Sequence, residues 1–169
     1  MVRAIMLGIL ILISFLLQTA VFSFIPLAGV VPNLMLVLTM SFGLMRGRKE
    51  GLLVGFFCGI LVDLFCGFAI GPYAMIYMYF GYANGFFHRF YYVEDVLLPM
   101  VMIAANDFLY GSVVYVIFFL LRNHLDYGFY LKNIIVPEMI YTVLVTLILY
   151  KVYMLINRAL KRLEEGSET

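Results

Sequence analysis

The sequence predicts an all-α membrane protein with six transmembrane helices and both termini on the cytoplasmic side. Apolar residues make up 65% of the 169 residues and charged residues only 12%, whereas about 25% charged residues is usual in soluble domains. The mean hydropathy is +1.05, and the long apolar runs leave no room for a soluble domain of about 50 residues or more. We therefore expect one membrane domain over residues 1–160 and a polar cytoplasmic tail over residues 161–169.

Six apolar runs approach the roughly 20 residues that a helix needs to cross the hydrocarbon core of a bilayer. The first run resembles a signal peptide, but no convincing small-x-small cleavage site follows it, so we interpret it as a retained span. The six predicted spans cover residues 4–25, 32–45, 50–66, 71–88, 96–121 and 134–156.

Turn signals separate the early spans. Pro32 and Asn33 open the second span, where a proline is harmless because the first helical turn leaves its N–H groups unbonded. Residues 46–49 include three basic side chains that must lie in water or among headgroups, so the second and third spans are separate helices. Residues 67–72 form the turn that leads into the fourth span.

The distribution of basic residues predicts the orientation. With both termini inside, nine of the eleven Lys and Arg residues lie on the inner side. Only Arg122 and Lys132 lie on the outer side. Cytoplasmic loops carry the excess of Lys and Arg in membrane proteins, so this topology is favoured over one with five spans.

Glycine recurs at every fourth position of residues 43–71 except one, which Asp63 occupies. Small residues at this spacing let two helix backbones approach closely in lipid. Gly55, Gly59 and Asp63 share one face of the third span, whereas Gly43 and Gly71 lie beyond that helix. We interpret this face as a docking surface for a partner's transmembrane helix. The candidate packing residues are Gly51, Gly55, Gly59, Asp63, Gly67 and Gly71.

Three carboxylates and one amide lie inside predicted spans: Asp63, Asp107, Glu138 and Asn106. Carboxylates stacked through a membrane can form a path for protons or cations. The alternative is that each carboxyl group is protonated, or that it caps backbone groups and hydroxyls where helices pack. Asn106, beside Asp107, is the better candidate for holding helices together by hydrogen bonds.

Motifs for chemistry are missing from the sequence. His88 and His124 fall on opposite sides of the predicted membrane, and neither has neighbours at zinc-ligand spacing. No serine lies in a Gly-x-Ser-x-Gly frame, and no glycine-rich loop ends in Lys-Ser or Lys-Thr. The net charge of +1 argues against nucleic-acid binding. We therefore expect no catalytic residues, no metal and no cofactor.

In order and spacing, these features resemble the MreD family of bacterial rod shape-determining proteins. The resemblance rests on a leucine-rich first span ending Leu17-Gln18-Thr19, on residues 31–34 opening the second span, on the basic inner turn and on the glycine series. It implies a non-enzymatic protein of the bacterial cytoplasmic membrane that binds MreC and links MreB filaments to peptidoglycan synthases. It also implies a fold similar to the S-components of energy-coupling-factor transporters.

Three functions are compatible with these observations: a scaffold that docks a partner's transmembrane helix, a small-molecule-binding transport subunit of the S-component kind, and an ion or proton channel. A transport subunit needs a pocket with several convergent polar groups. This chain has no Trp and few polar residues near its outer loops, which favours the scaffold. Its expected partners are an MreC-like protein and membrane lipid.

Overall fold

The computed structural model describes residues 2–66, 70–90, 96–119 and 126–166, and none of these residues belongs to a β-strand. The main helices follow one another along the chain with short connections. They are α1 (Val2–Leu16), α2 (Leu34–Arg46), α3 (Arg48–Cys66), α4 (Pro72–Asn84), α5 (Leu97–Phe118), α6 (Tyr127–Tyr130) and α7 (Val136–Gly166).

Shorter turns extend several of these helices. A π-helical turn and a 3-10 turn follow α1 over Leu17–Val21 and Phe22–Phe24, and a 3-10 segment follows α4 over Gly85–Phe90. A second π-helical turn, Leu131–Ile135, joins α6 to α7. Pro137 is the second residue after this turn, and its missing N–H prevents regular α-helical bonding to the residues of the turn.

Three helical segments within the described residues are long and apolar enough to cross a membrane: Ala4–Phe24, Leu97–Phe118 and Tyr127–Arg162. They correspond to the first, fifth and sixth predicted spans. The helices of the other three spans are present, but α2 and α4 have 13 residues each, or about 20 Å of length against a hydrocarbon core of about 30 Å. The all-helical class is therefore confirmed, and the crossing by six helices stays a prediction.

The last helix is longer at both ends than the predicted span over residues 134–156. Helical structure begins at Tyr127, and α7 continues to Gly166. The polar tail that we expected from residue 161 onwards is therefore helical as far as the structure describes it. Its lysine, arginine, leucine and glutamate residues all favour helix.

α2 lies at the centre of the molecule and is covered on every side. All residues from Leu34 to Met45 are buried, and α2 contacts α1, α3, α4, α5 and α7. A helix that is apolar all round belongs in the interior of a bundle. The prediction that α2 and α3 are separate helices is confirmed, since Gly47 ends α2 with a positive φ of 96°. α3 begins at the next residue.

Candidate functional site

The glycine row of α3, defined as Gly51, Gly55 and Gly59, is a helix-packing surface. A Cβ atom built on Gly55 would collide with the carbonyl oxygen of Tyr77, and one on Gly59 would lie 2.6 Å from the carbonyl oxygen of Tyr73. Side chains at these positions would therefore push α4 away from α3. Small residues at this spacing allow two helix backbones to approach so closely.

The helix that packs on this row is α4 of the same chain, which corrects our interpretation of the row as an open docking surface for a partner. α4 covers all three glycines, so no second helix can approach them. Spacing identifies which face of a helix is bare, but it does not identify the neighbour.

α4 contributes its own glycines to this contact, and the sequence reasoning missed them. A Cβ atom on Gly81 would collide with the carbonyl oxygen of Gly51, and one on Gly43 would lie 2.8 Å from the carbonyl oxygen of Gly81. Gly43, Gly51 and Gly81 thus bring α2, α3 and α4 to backbone contact at one point. Gly81 and Gly85 are four residues apart, the same spacing that identified the row on α3.

Asp63 is buried, with 2% of its surface exposed, and it caps the N-terminus of α4. Its Oδ2 accepts hydrogen bonds from the N–H groups of Gly71 and Ala74, both at 2.9 Å, and its Oδ1 accepts one from Tyr73 at 3.0 Å. A carboxylate at a helix N-terminus satisfies unbonded N–H groups and interacts favourably with the helix dipole. Asp63 therefore fixes α4 against the end of α3.

The turn before α4 is described only in part. Gly71 precedes α4 with a φ of +127°, a conformation that residues with side chains rarely adopt. It contacts Asp63 through its N–H and has open space where a Cβ atom would lie. Gly67, also predicted as a packing residue, lies outside the described residues.

Asn33 is the N-cap of α2 and the centre of a buried hydrogen-bond network. Its Oδ1 accepts from the N–H of Leu36 at 3.1 Å and from the hydroxyl of Tyr77 at 2.8 Å. Its own N–H donates to the Thr142 hydroxyl at 3.1 Å. One side chain and its backbone thus connect α2 with α4 and α7. Pro32, directly before it, precedes the helix and accepts a hydrogen bond from Leu34.

Asn106 joins α5 to α4. Its side-chain amide donates to Oδ1 of Asn84 at 3.1 Å and to the carbonyl of Met102. Asn106 therefore connects α5 with the end of α4 through Asn84. Asn84 itself carried no signal in the sequence beyond being polar near the end of a span.

Asp107 and Glu138 lie near each other across α5 and α7. Glu138 interacts electrostatically with Asp107, and the Thr142 hydroxyl lies beside Asp107. Asp107 is 3% exposed, and among the described residues neither of its carboxylate oxygens has a well-formed hydrogen bond. The structure thus brings together two of the three carboxylates considered as a relay. Asp63 instead bonds to the backbone of α4.

An open apolar groove runs between α1 and α3, on the face of α3 away from α4. It has a volume of about 430 Å³. Gly8 lies in the groove, and a Cβ atom built on it would meet nothing within 4 Å. The lining residues are Ala4, Leu7, Gly8, Ile11, Leu12, Leu53, Val54, Phe57, Ile60 and Leu61.

Among the residues that the structure describes, no three His, Cys, Asp or Glu side chains come together as metal ligands. The free thiol of Cys58 is buried in the core, away from solvent. The polar side chains that the structure brings together form hydrogen bonds mainly with backbone groups at helix ends and with one another. The arrangement supports packing and docking better than chemistry.

Comparison with known proteins agrees with the resemblance seen in the sequence. A family model described as rod shape-determining protein MreD matches residues 1–159. No curated protein and no solved structure matches the chain significantly. The matched segment contains α1 to α6 and most of α7.

Proposed function

The chain belongs to the MreD family of rod shape-determining proteins, and from this premise we propose that it is a non-enzymatic scaffold of the bacterial cytoplasmic membrane. Six helices cross the membrane, with both termini in the cytoplasm. The scaffold docks the transmembrane helix of an MreC-like protein and so connects an MreB-like cytoskeleton with peptidoglycan synthases. Family membership supports the role in cell shape, and the geometry supports a particular docking surface.

The observation that carries this proposal is the groove between α1 and α3. The glycine row is already covered by α4, so a partner helix needs another surface. Ala4 and Gly8 are four residues apart on α1, both line the groove, and Gly8 has open space above it. Small residues at this spacing favour close approach of a second helix. Leu12, Leu53 and Phe57 are exposed around them and offer apolar contacts.

Filling the groove tests the proposal. We expect Gly8→Leu to reduce co-purification of the MreC-like protein of the same bacterium several-fold, because the added side chain occupies the space of the partner helix. The matched control is Gly128→Leu, since Gly128 also has nothing within 4 Å of a Cβ atom but lies outside the groove. Both variants should reach normal membrane levels. Undiminished co-purification with Gly8→Leu would exclude the groove as the docking surface.

A second candidate function, transfer of a proton or cation, is favoured by the electrostatic interaction between Asp107 and Glu138. Buried carboxyl groups without a basic partner are costly inside a membrane and are frequently functional there. Transfer needs the ionisable groups themselves. A double variant, Asp107→Asn with Glu138→Gln, therefore separates the candidates in a cell-shape complementation assay. The scaffold keeps rod shape in this variant, and a proton or cation path loses it at normal membrane level.

A further inference from the structure

A basic cavity lies where α2 ends and α3 begins, at the end of the bundle that the charge distribution assigns to the cytoplasm. Its volume is about 460 Å³. Four basic side chains line it: Arg46, Arg48, Lys49 and Arg89. We propose that this cavity binds the phosphate of an anionic phospholipid headgroup.

The four basic side chains have different roles. Arg46 is held by hydrogen bonds to Asn157 and lies 3.9 Å from Glu50, so it forms part of the wall. The guanidinium of Arg48 lies over the Phe86 ring, 3.5 Å from its centroid, and this cation–π contact fixes its position. Its charge remains at the edge of the cavity.

Lys49 and Arg89 are the two side chains available to a ligand. Both are exposed, and neither forms an ion pair with another residue in the described ranges. They come from two separate elements, since Lys49 lies in the first turn of α3 and Arg89 in the 3-10 segment after α4. A single anion between them therefore neutralises charges that the fold has brought together.

The backbone holds these two elements in contact. A Cβ atom on Gly85 would collide with the backbone of Arg48, so only glycine lets the 3-10 segment approach the start of α3. His88 bonds through Nδ1 to the carbonyl of Leu44 at 2.6 Å, which fixes the same segment to α2. The cavity is thus organised before any ligand arrives. The N-terminus of α3 adds positive potential that favours an anion.

The surroundings indicate why the phosphate is that of a lipid. Phe86, Phe87 and Phe90 are exposed large side chains next to the cavity, and aromatic side chains of this kind concentrate at the headgroup level of a bilayer. Basic pockets between transmembrane helices on the cytoplasmic side bind anionic headgroups by this combination of charge and depth. A headgroup can enter the cavity while its acyl chains remain beside the exposed rings.

The test compares lipids on the purified full-length protein in mild detergent. Native mass spectrometry and thermal unfolding are measured with phosphatidylglycerol, with phosphatidylethanolamine of the same acyl chains, and with inorganic phosphate. We expect preferential binding and stabilisation by phosphatidylglycerol. In the double variant Lys49→Gln with Arg89→Gln, the affinity for phosphatidylglycerol relative to phosphatidylethanolamine should fall roughly 30-fold. This corresponds to about 1 kcal/mol for each basic side chain, at about 1.4 kcal/mol per tenfold change in affinity.

The matched control is Lys161→Gln with Arg162→Gln, which removes two exposed charges from α7 outside the cavity and should keep the preference. Equal losses in both double variants would mean diffuse surface charge and overturn the proposal. If the cavity double variant does not fold, Lys49→Gln alone should lower the preference roughly 5-fold on the same conversion.

Two further arms identify the source of the anion. Stabilisation by inorganic phosphate as strong as that by phosphatidylglycerol, and lost in the cavity variant, keeps the phosphate site but assigns it to a soluble ligand. Binding of oligoglutamate without any preference for phosphatidylglycerol would overturn the lipid proposal in favour of an acidic protein segment.

Discussion

At the scale of single residues, Asp63 and Asn33 show how a polar side chain is accommodated in an apolar bundle. Asp63 bonds to three N–H groups at the start of α4, and Asn33 bonds to α2 and connects it to α4 and α7. Both satisfy backbone groups that would otherwise be unpaired at a buried helix end, a costly condition in the absence of water. The hydrogen bonds of these two polar side chains position the helices relative to one another.

Substitution of Asp63 tests this role. An asparagine keeps one oxygen, which can accept from Gly71 and Ala74, but its NH₂ group faces the N–H of Tyr73. Alanine leaves all three N–H groups without their partner, at a cost of about 1–3 kcal/mol for each buried unsatisfied group. We expect thermal stability in detergent to decrease in the order Asp63, Asp63→Asn, Asp63→Ala.

Complementation of a shape-defective strain, with matched membrane levels, should follow the same order. If Asn and Ala fail alike in that strain while both proteins remain folded and bind their partner, the carboxylate has a role in proton or cation transfer beyond capping.

At the scale of elements, the contact of α3 with α4 is the closest in the described structure, because it rests on glycines from both helices. Gly55 lies against the carbonyl of Tyr77, and Gly81 lies against the carbonyl of Gly51. Close contact between the two backbones along these glycines yields van der Waals attraction, which drives helix association in lipid. The face of α3 opposite this contact remains open along the groove.

We expect even one methyl group in this contact to be destabilising. Gly55→Ala and Gly81→Ala should each lower stability by about 1–3 kcal/mol, the usual cost of overpacking a core, and reduce the folded yield. Gly8→Ala is the control, since nothing lies within 4 Å of its Cβ position. The measurement is the midpoint of thermal unfolding together with the monodisperse fraction in gel filtration. Equal midpoints in all three variants would contradict the close packing.

The sequence was informative about helices and faces and less so about neighbours. Glycine spacing predicted the packing face of α3, and the charge of residues 46–49 predicted the break before it. The sequence did not show that α4 covers that face. The spacing of glycines describes the surface of one helix, and it does not identify the second helix that packs there. The four-residue spacing of Gly81, on α4, and Gly85, just after α4, was a usable signal for close packing. The hydrogen bond between Asn33 and Thr142 had no signal in the sequence, since a single threonine in a span does not indicate which residue its hydroxyl contacts.

At the scale of the whole molecule, five helices of the described residues, α1, α3, α4, α5 and α7, surround a central α2. The basic residues predict how this bundle is oriented in the membrane. Arg46 contacts Asn157, so the end of α2 and the last part of α7 lie together. Arg158, Lys161 and Arg162 therefore occupy the same end of the bundle as the basic cavity. The positive-inside rule assigns this end to the cytoplasm.

Labelling of single cysteines checks the orientation in a variant that lacks Cys58 and Cys66. We expect Arg158→Cys to react with a membrane-impermeant maleimide only after the membrane is opened. Asp126→Cys, just before α6, should react in intact spheroplasts. Reaction of Arg158→Cys from outside would invert the topology and would place the basic cavity on the outer surface.

The central position of α2, which a one-residue connection at Gly47 joins to α3, also has a consequence for biosynthesis. α2, α3 and α4 are consecutive in the chain, so the contacts among them are local, and local contacts form rapidly. α2 nevertheless gains its contacts with α5 and α7 only after the ribosome has produced them, and the N–H of Asn33 gains its hydrogen bond to Thr142 at the same stage. A nascent chain that stops after α4 therefore lacks this hydrogen bond and leaves α2 without the cover of α5 and α7. We expect such fragments to be recognised by membrane proteases, so that only completed chains accumulate.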